Sequence, residues 1–154
     1  MSVIKDAQGA RTQLAGAATV LNNLAAGTFV VLGTIVHNSN GKAPFDCHVE
    51  LAVTPTAVSG GRQVLLYAQF SFDGANWTSG PVDGTATTDE TNLVLLGALT
   101  ANSASLKRKV FSIASQNSFV LPYATRLIAK NDTGAALAGT GNDVYTQDHF
   151  GDNT

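Results

Sequence analysis

Asp46, His48 and Glu50 alternate along the segment FDCHVELAVT, and all three side chains can bind a metal or move a proton. On an extended strand they share one face, with successive members about 7 Å apart, and with His37 they make a candidate metal set. A strand puts every alternate polar residue on one face whatever its role, so a solvated polar face is the simpler reading. Cys47 points the other way, towards a core, so Cys47 and its neighbour His48 do not make a nucleophile and base. As the single cysteine, Cys47 also excludes an internal disulfide framework and any Cys-based zinc site.

Other chemistry is thinly represented. The chain has no GxSxG elbow, no HExxH, no P-loop and no GxGxxG after a strand, and Gly139-Thr140-Gly141 reads as a turn. Lys107-Arg108-Lys109, with Arg126 and Lys130 as further members, is the one basic cluster. It suits an acidic partner surface, while the acidic overall balance argues against dedicated nucleic-acid binding. The segment Ser71-Phe72-Asp73-Gly74-Ala75-Asn76-Trp77 resembles the Asp-box turn of sialidases and related propellers. It is one residue short between Asp and Trp and occurs once, so it reads as a hairpin staple. Trp77 is also a candidate sugar-stacking platform, which keeps a carbohydrate-binding module as the alternative function. No catalytic, cofactor-binding or metal residue is assigned, no cofactor is expected, and the candidate contact residues are Lys107, Arg108, Lys109 and Trp77.

Composition narrows the class. A chain of 154 residues suits one domain with a core that needs no staples. Charged residues make up only 13%, against about 25% in ordinary soluble domains. The surface must therefore be built from Thr, Ser, Asn, Gly and Ala, and a net charge of −2 gives little long-range repulsion or steering. That suits a protein whose surface is taken up by neighbours, and equally a β-protein with polar uncharged loops. The start of the sequence lacks a basic-plus-apolar leader, so secretion is not expected, and no apolar run reaches the roughly 20 residues of a membrane span.

The elements that must position these residues read as strands. Residues 1–18 form an extended arm or loose strand before a single domain over 19–154. Between Thr12 and Gly27, Leu14, Ala18, Leu21 and Ala25 have helical spacing with Gly27 as an acceptable C-terminal cap, so a short helix is one reading, while Gly16, Thr19-Val20 and Asn22-Asn23 make a strand running into a turn the other. FVVLGTIV, Phe29 to Val36, is apolar on both faces and reads as a central strand covered on both sides. Phe45, Cys47, Val49, Leu51 and Val53 share a core face until Pro55 ends the strand. The clearest strand, VLLYAQFSFD, puts Val64, Leu66, Ala68, Phe70 and Phe72 on one face before the Asp73-Gly74 turn. A long polar excursion follows over residues 74–92, and Leu93 to Leu99 is again doubly apolar. From Leu106 to Ile113 the apolar parity changes between Val110 and Phe111, which suggests a bulge or a crossing between sheets. Phe119, Leu121, Tyr123 and Leu127 share an inward face, the turn Asn131-Asp132-Thr133-Gly134 ends it, and NDVYTQDHF is the last strand. Short hairpins mixed with long excursions and no fixed repeat make an all-β, jelly-roll-like sandwich.

The order of these segments resembles a group of small tailed-phage virion proteins. TVLNNLAAGTFVVLGTIVHNSN, FDCHVELAVT, VLLYAQFSFDGANW and FVLPYATRLIAKNDTGAALAGTGNDV carry the likeness over most of residues 19–146. Its marks are a leucine-rich opening, an aromatic-Ser-x-Asp-Gly turn and a late Leu-Pro before a strand ending in Asn-x-Thr-Gly. The resemblance implies a jelly-roll-like sandwich that decorates or cements a capsid, the head-tail region being the less favoured place, and it biases residues 19–22 towards strand. It implies a non-enzymatic homo-oligomer that is made in the host cytoplasm, resides on the virion surface and contacts the major capsid protein lattice, with no membrane or dedicated nucleic-acid partner. No functional residue carries over, because the shared positions are turns and core.

Overall fold

Val64, Leu66, Ala68 and Phe70 alternate along the strand Gln63–Ser71, and all four are buried in the main core. Around this strand the computed structural model describes residues 4–37, 44–59, 61–78, 92–118 and 120–153. The strands are β1 (Ile4–Gln8), β2 (Thr12–Gln13), β3 (Phe29–Val36), β4 (Asp46–Val53), β5 (Gln63–Ser71), β6 (Val94–Thr100), β7 (Lys107–Ser112), β8 (Ala124–Asp132) and β9 (Asp143–Asn153). They form two antiparallel sheets, one ordered β1-β9-β4-β7 with β2 also on β9, the other β3-β8-β5-β6. The pairings are nested: β5 with β6, β4 with β7, β3 with β8, and β1 and β2 with β9. Rolling that long hairpin adds the β5–β8 and β4–β9 pairs, which is the topology of a jelly roll. The all-β sandwich expected from the sequence is therefore the fold.

The core lies between the sheets, where Val49, Leu51, Val53, Phe111 and Val144 from one meet Val64, Leu66, Leu96, Leu127 and Ala129 from the other. A smaller cluster of Phe29, Tyr67, Leu93 and Ile128 covers the outer face of the second sheet. Tyr67 and Ser71, whose face reads from the sequence as running out to a rim, are thus buried. Phe72, placed with the core face, is 82% exposed because the strand ends at Ser71 and the chain turns away.

Both doubly apolar strands are edges, not centres. β3 carries a bulge between Val31 and Gly33, so its inward parity changes from Val30 and Leu32 to Ile35. β6 pairs with β5 through a shift at Leu66/Tyr67, opposite Gly97. Gly33 and Gly97 have φ of +150° and +153°, and a Cβ on Gly97 would sit 2.8 Å from the Phe111 ring. Apolar residues on both parities thus record a strand that switches face, a device that also twists an edge away from pairing.

Three further expectations change. Residues 19–21, which the resemblance biases towards strand, lie in a short helix, α1 (Ala17–Leu21), entered through Gly16 at φ +82° and capped by Asn22, so of the two readings of this stretch the helix is the one found. Burying Ala17 and Leu21, one turn apart, outweighs the poor propensity of Thr19 and Val20, which face solvent. No bulge or crossing occurs within β7, whose register against β4 is continuous from Lys107 to Ser112; Val110 is simply exposed while Phe111 is buried. Tyr123 does not share an inward face with Leu127: it precedes β8 and is 45% exposed. Phe119 and residues 79–91 of the long excursion lie outside the described residues. The segment read as an arm contributes β1 and β2, which both pair with β9, so the last strand lies within its sheet and not at an edge. Among the described residues no helix is long and apolar enough to cross a membrane.

Candidate functional site

The β3–β4, β5–β6 and β7–β8 connections leave the sandwich at one end, because Val36 and Ser71 both pair with Ala124. Several large apolar side chains at this end are exposed. Phe72 is 82% exposed and Val120 63%, and Val36, Phe45 and Tyr123 are also exposed. The turn that presents Phe72 is built by its neighbours. Asp73 Oδ1 accepts the backbone N–H groups of Asn76 at 2.7 Å and Ala75 at 2.9 Å, and Oδ2 accepts from Asn76 Nδ2 at 2.6 Å. Ser71 Oγ donates to Asp73 Oδ1 and accepts from the N–H of Gly74, whose φ is +77°. These donors, the Asn76 N–H first, hold the Asp73 carboxyl well below the usual carboxylate range. The turn expected at Asp73-Gly74 is therefore present as a staple.

After the turn the chain folds back on the second sheet. Thr78 N–H donates to Phe70 O, and Thr78 Oγ1 accepts the Phe70 N–H. Buried Gln69 donates to Thr78 O at 2.8 Å and accepts from Arg126 Nη1 at 3.3 Å. The Arg126 guanidinium lies 4.1 Å over the Trp77 ring. Trp77 is half-buried, and one ring face is covered by Arg126, so it is not an open two-sided platform for a sugar.

The basic residues do not form one patch. Lys107, Arg108 and Lys109 lie on β7, an edge of the first sheet, whereas Arg126 and Lys130 lie on β8 of the second. Strand alternation divides the run further: Arg108 leans towards Glu50 at 3.9 Å, while Lys109 Nζ donates to Ala98 O across the sandwich edge. Lysines on an edge strand discourage pairing with another sheet, which gives this run a physical role without a ligand.

Asp46, His48 and Glu50 do share the outer face of β4, but only Asp46 and His48 meet each other, while Glu50 is held apart by Arg11. Glu50 accepts a two-pronged bond from Arg11, at 2.9 and 3.2 Å, and Arg11 also stacks 3.3 Å over Tyr145. Asp46 accepts from Ser112 Oγ at 2.7 Å and from the N–H groups of Cys47 and Ala114. His48 Nε2 lies 3.1 Å from Asp46 Oδ2, and its ring packs on His149 at 4.0 Å. The face is cross-braced, not merely solvated, and His37 does not join it.

His37 lies between the sheets instead. Cys47 is fully buried on the inner face, as expected, directly across from Asp148 of β9. A His37 ring nitrogen, the Cys47 sulfur and an Asp148 carboxylate oxygen lie within 4.8 Å of one another. Burial, then the Asp148 carboxylate, pushes the Cys47 thiol up, out of the range of a reactive thiolate. The strand pattern reveals that Cys47 faces inward, but only the register of β9 and the end of β3 bring Asp148 and His37 to it. No protein-family model and no curated protein sequence matches the chain.

Proposed function

We propose that the chain is a non-enzymatic structural protein of a tailed-phage particle that decorates or cements the capsid through protein–protein contacts, as a symmetric homo-oligomer. The carrying observation is the set of exposed large apolar residues at one end of the sandwich, Val36, Phe45, Phe72, Val120 and Tyr123. Exposed apolar residues at one end of a chain with so few charged residues support a reading in which that end is covered by protein. The order of sequence segments, which resembles that of small tailed-phage virion proteins, supports the phage setting.

The mechanism is linkage. A protein that binds only the assembled lattice lowers the free energy of that state and raises its resistance to heat and internal pressure. No step requires a nucleophile or a cofactor. The test is to image mature particles for this sandwich and to compare the thermal stability of particles with and without it. Absence of the protein from particles, with undiminished stability, would sink the reading. A glycan array run alongside distinguishes the carbohydrate alternative, which predicts binding that Trp77→Ala removes.

A further inference from the structure

We propose that His37, Cys47 and Asp148 form a transition-metal site of the Zn2+ class that ties the two sheets together beneath the exposed apolar end. The ligand atoms already converge within 4.8 Å. A tetrahedral Zn2+ with bonds of about 2.0–2.3 Å needs its ligand atoms about 3.5 Å apart, so side-chain adjustments of roughly 1 Å bring these three into place and leave the fourth position to a water molecule on the side of half-buried Asp148. Cys47 and Asp148 are cross-strand partners on β4 and β9, and His37 closes from the end of β3 in the opposite sheet.

An independent observation points to a ligand. His37 is only 4% exposed, and its Nδ1 has no hydrogen-bond partner. A buried ring nitrogen left without a partner costs about 1–3 kcal/mol, and metal coordination removes that cost. The other nitrogen, Nε2, lies 2.8 Å from Thr125 Oγ1. With Nε2–H donating to that hydroxyl, the Nδ1 lone pair is free and the ring is held in orientation, the arrangement that supports metal-binding histidines.

The donor set selects the ion. One sulfur, one imidazole nitrogen and one carboxylate oxygen suit a borderline divalent ion, whereas Ca2+ and Mg2+ demand oxygen shells. Metal binding replaces the proton of the Cys47 thiol, which leaves to solvent, and the resulting thiolate and carboxylate together neutralise the dication. A single cysteine is sufficient for such a set, so the proposal departs from the expectation that one cysteine excludes any Cys-based zinc site.

The test uses the purified chain, stripped with a chelator and titrated with Co2+, then with Zn2+ as competitor. The expected result is one saturable Co2+ equivalent with a near-ultraviolet sulfur-to-cobalt band that Zn2+ bleaches. Zn2+ raises Tm by roughly 5–10 °C at about a hundredfold excess over Kd. Cys47→Ser abolishes the band, and His37→Gln weakens binding about tenfold or more. Asp148→Asn keeps the sulfur band but weakens binding, which reads the site even if Cys47→Ser folds poorly. His48→Gln, on the outer face, leaves all of this unchanged. No saturable band, binding that survives Cys47→Ser, or binding lost in His48→Gln would each overturn the proposal.

Discussion

Arg126 covers one face of Trp77, its guanidinium carbon 4.1 Å from the ring centroid, and so fastens the end of an eight-residue turn region to the sheet it left. Arg126 also donates to buried Gln69, which in turn donates to Thr78 O. Arg126→Ala removes the stack and leaves Gln69 Oε1 short of a donor, and it should destabilise the fold by about 1–2 kcal/mol. Trp77 is the only tryptophan, so its emission reports this turn alone. A red shift in the variant, with a lower denaturation midpoint, is the expected result.

Acid should loosen the same turn from within. The Asn76 and Ala75 donors, with Ser71, lower the folded-state pKa of Asp73 below its unfolded value. The stabilising contribution is present in full above the unfolded pKa, near pH 4, and is lost as pH falls through the folded pKa. In an acid titration the amide resonances of Ala75 and Asn76 should move together only well below the usual carboxylate range, as the folded-state Asp73 takes up its proton. Asp73→Asn should remove that transition, and an unchanged titration in the variant would contradict the assignment.

Gly97 tests the edge bulge. Its φ of +153° suits glycine, and an added Cβ would lie 2.8 Å from the Phe111 ring. Gly97→Ala should cost about 2–3 kcal/mol, part backbone strain and part clash. Phe111→Leu in the same chain should recover the clash and leave the strain, so a double-mutant cycle gives a favourable coupling between the two positions.

Gly97 and Gly33 also explain how far the fold was legible. β5 is readable because it lies inside its sheet, where Val64, Leu66, Ala68 and Phe70 alternate without interruption against the core. β3 and β6 look like central strands because a bulge moves the inward parity, and local sequence does not reveal a shift that only the partner strand defines. The helix Ala17–Leu21 is held by tertiary burial against a weak propensity. The outer face of β4 is evident from Asp46, His48 and Glu50, yet Arg11 and Ser112 reach it from distant segments. His37 is separated from Asp148 by most of the chain, and rolling the sheets, not spacing, sets their meeting.

Asn131 holds the opposite end together. It is fully buried, its Nδ2 donates to Leu24 O and Ala135 O at 2.8 Å, and its Oδ1 accepts from Thr133 N–H and Oγ1. Its backbone exchanges bonds with Gly27 and Thr28, so one residue joins the helix exit to the β8–β9 connection. Asn131→Ala strands several of these partners away from water and should cost about 2–4 kcal/mol, read as a lower denaturant midpoint. Asn131→Asp should also destabilise, because a carboxylate cannot donate to the two carbonyls.

The contact surface can be separated from stability. Phe72 is 82% exposed and Val120 63%, so neither contributes much packing to the isolated domain. Replacing both with Ser should change Tm by no more than about 2 °C, since exposed positions away from special structure shift stability by only about 0.5 kcal/mol. Loss of binding is the expected outcome when the variant is mixed with particles lacking the native protein. A residue buried at the heart of a protein contact commonly costs about 2 kcal/mol or more when truncated, a thirtyfold or greater weakening. Substitution of Lys107 and Arg108 serves as the comparison, because they lie on an edge strand away from the apolar end. If the basic variant loses particle binding and the apolar variant keeps it, the contact lies along β7 and the apolar end has another role.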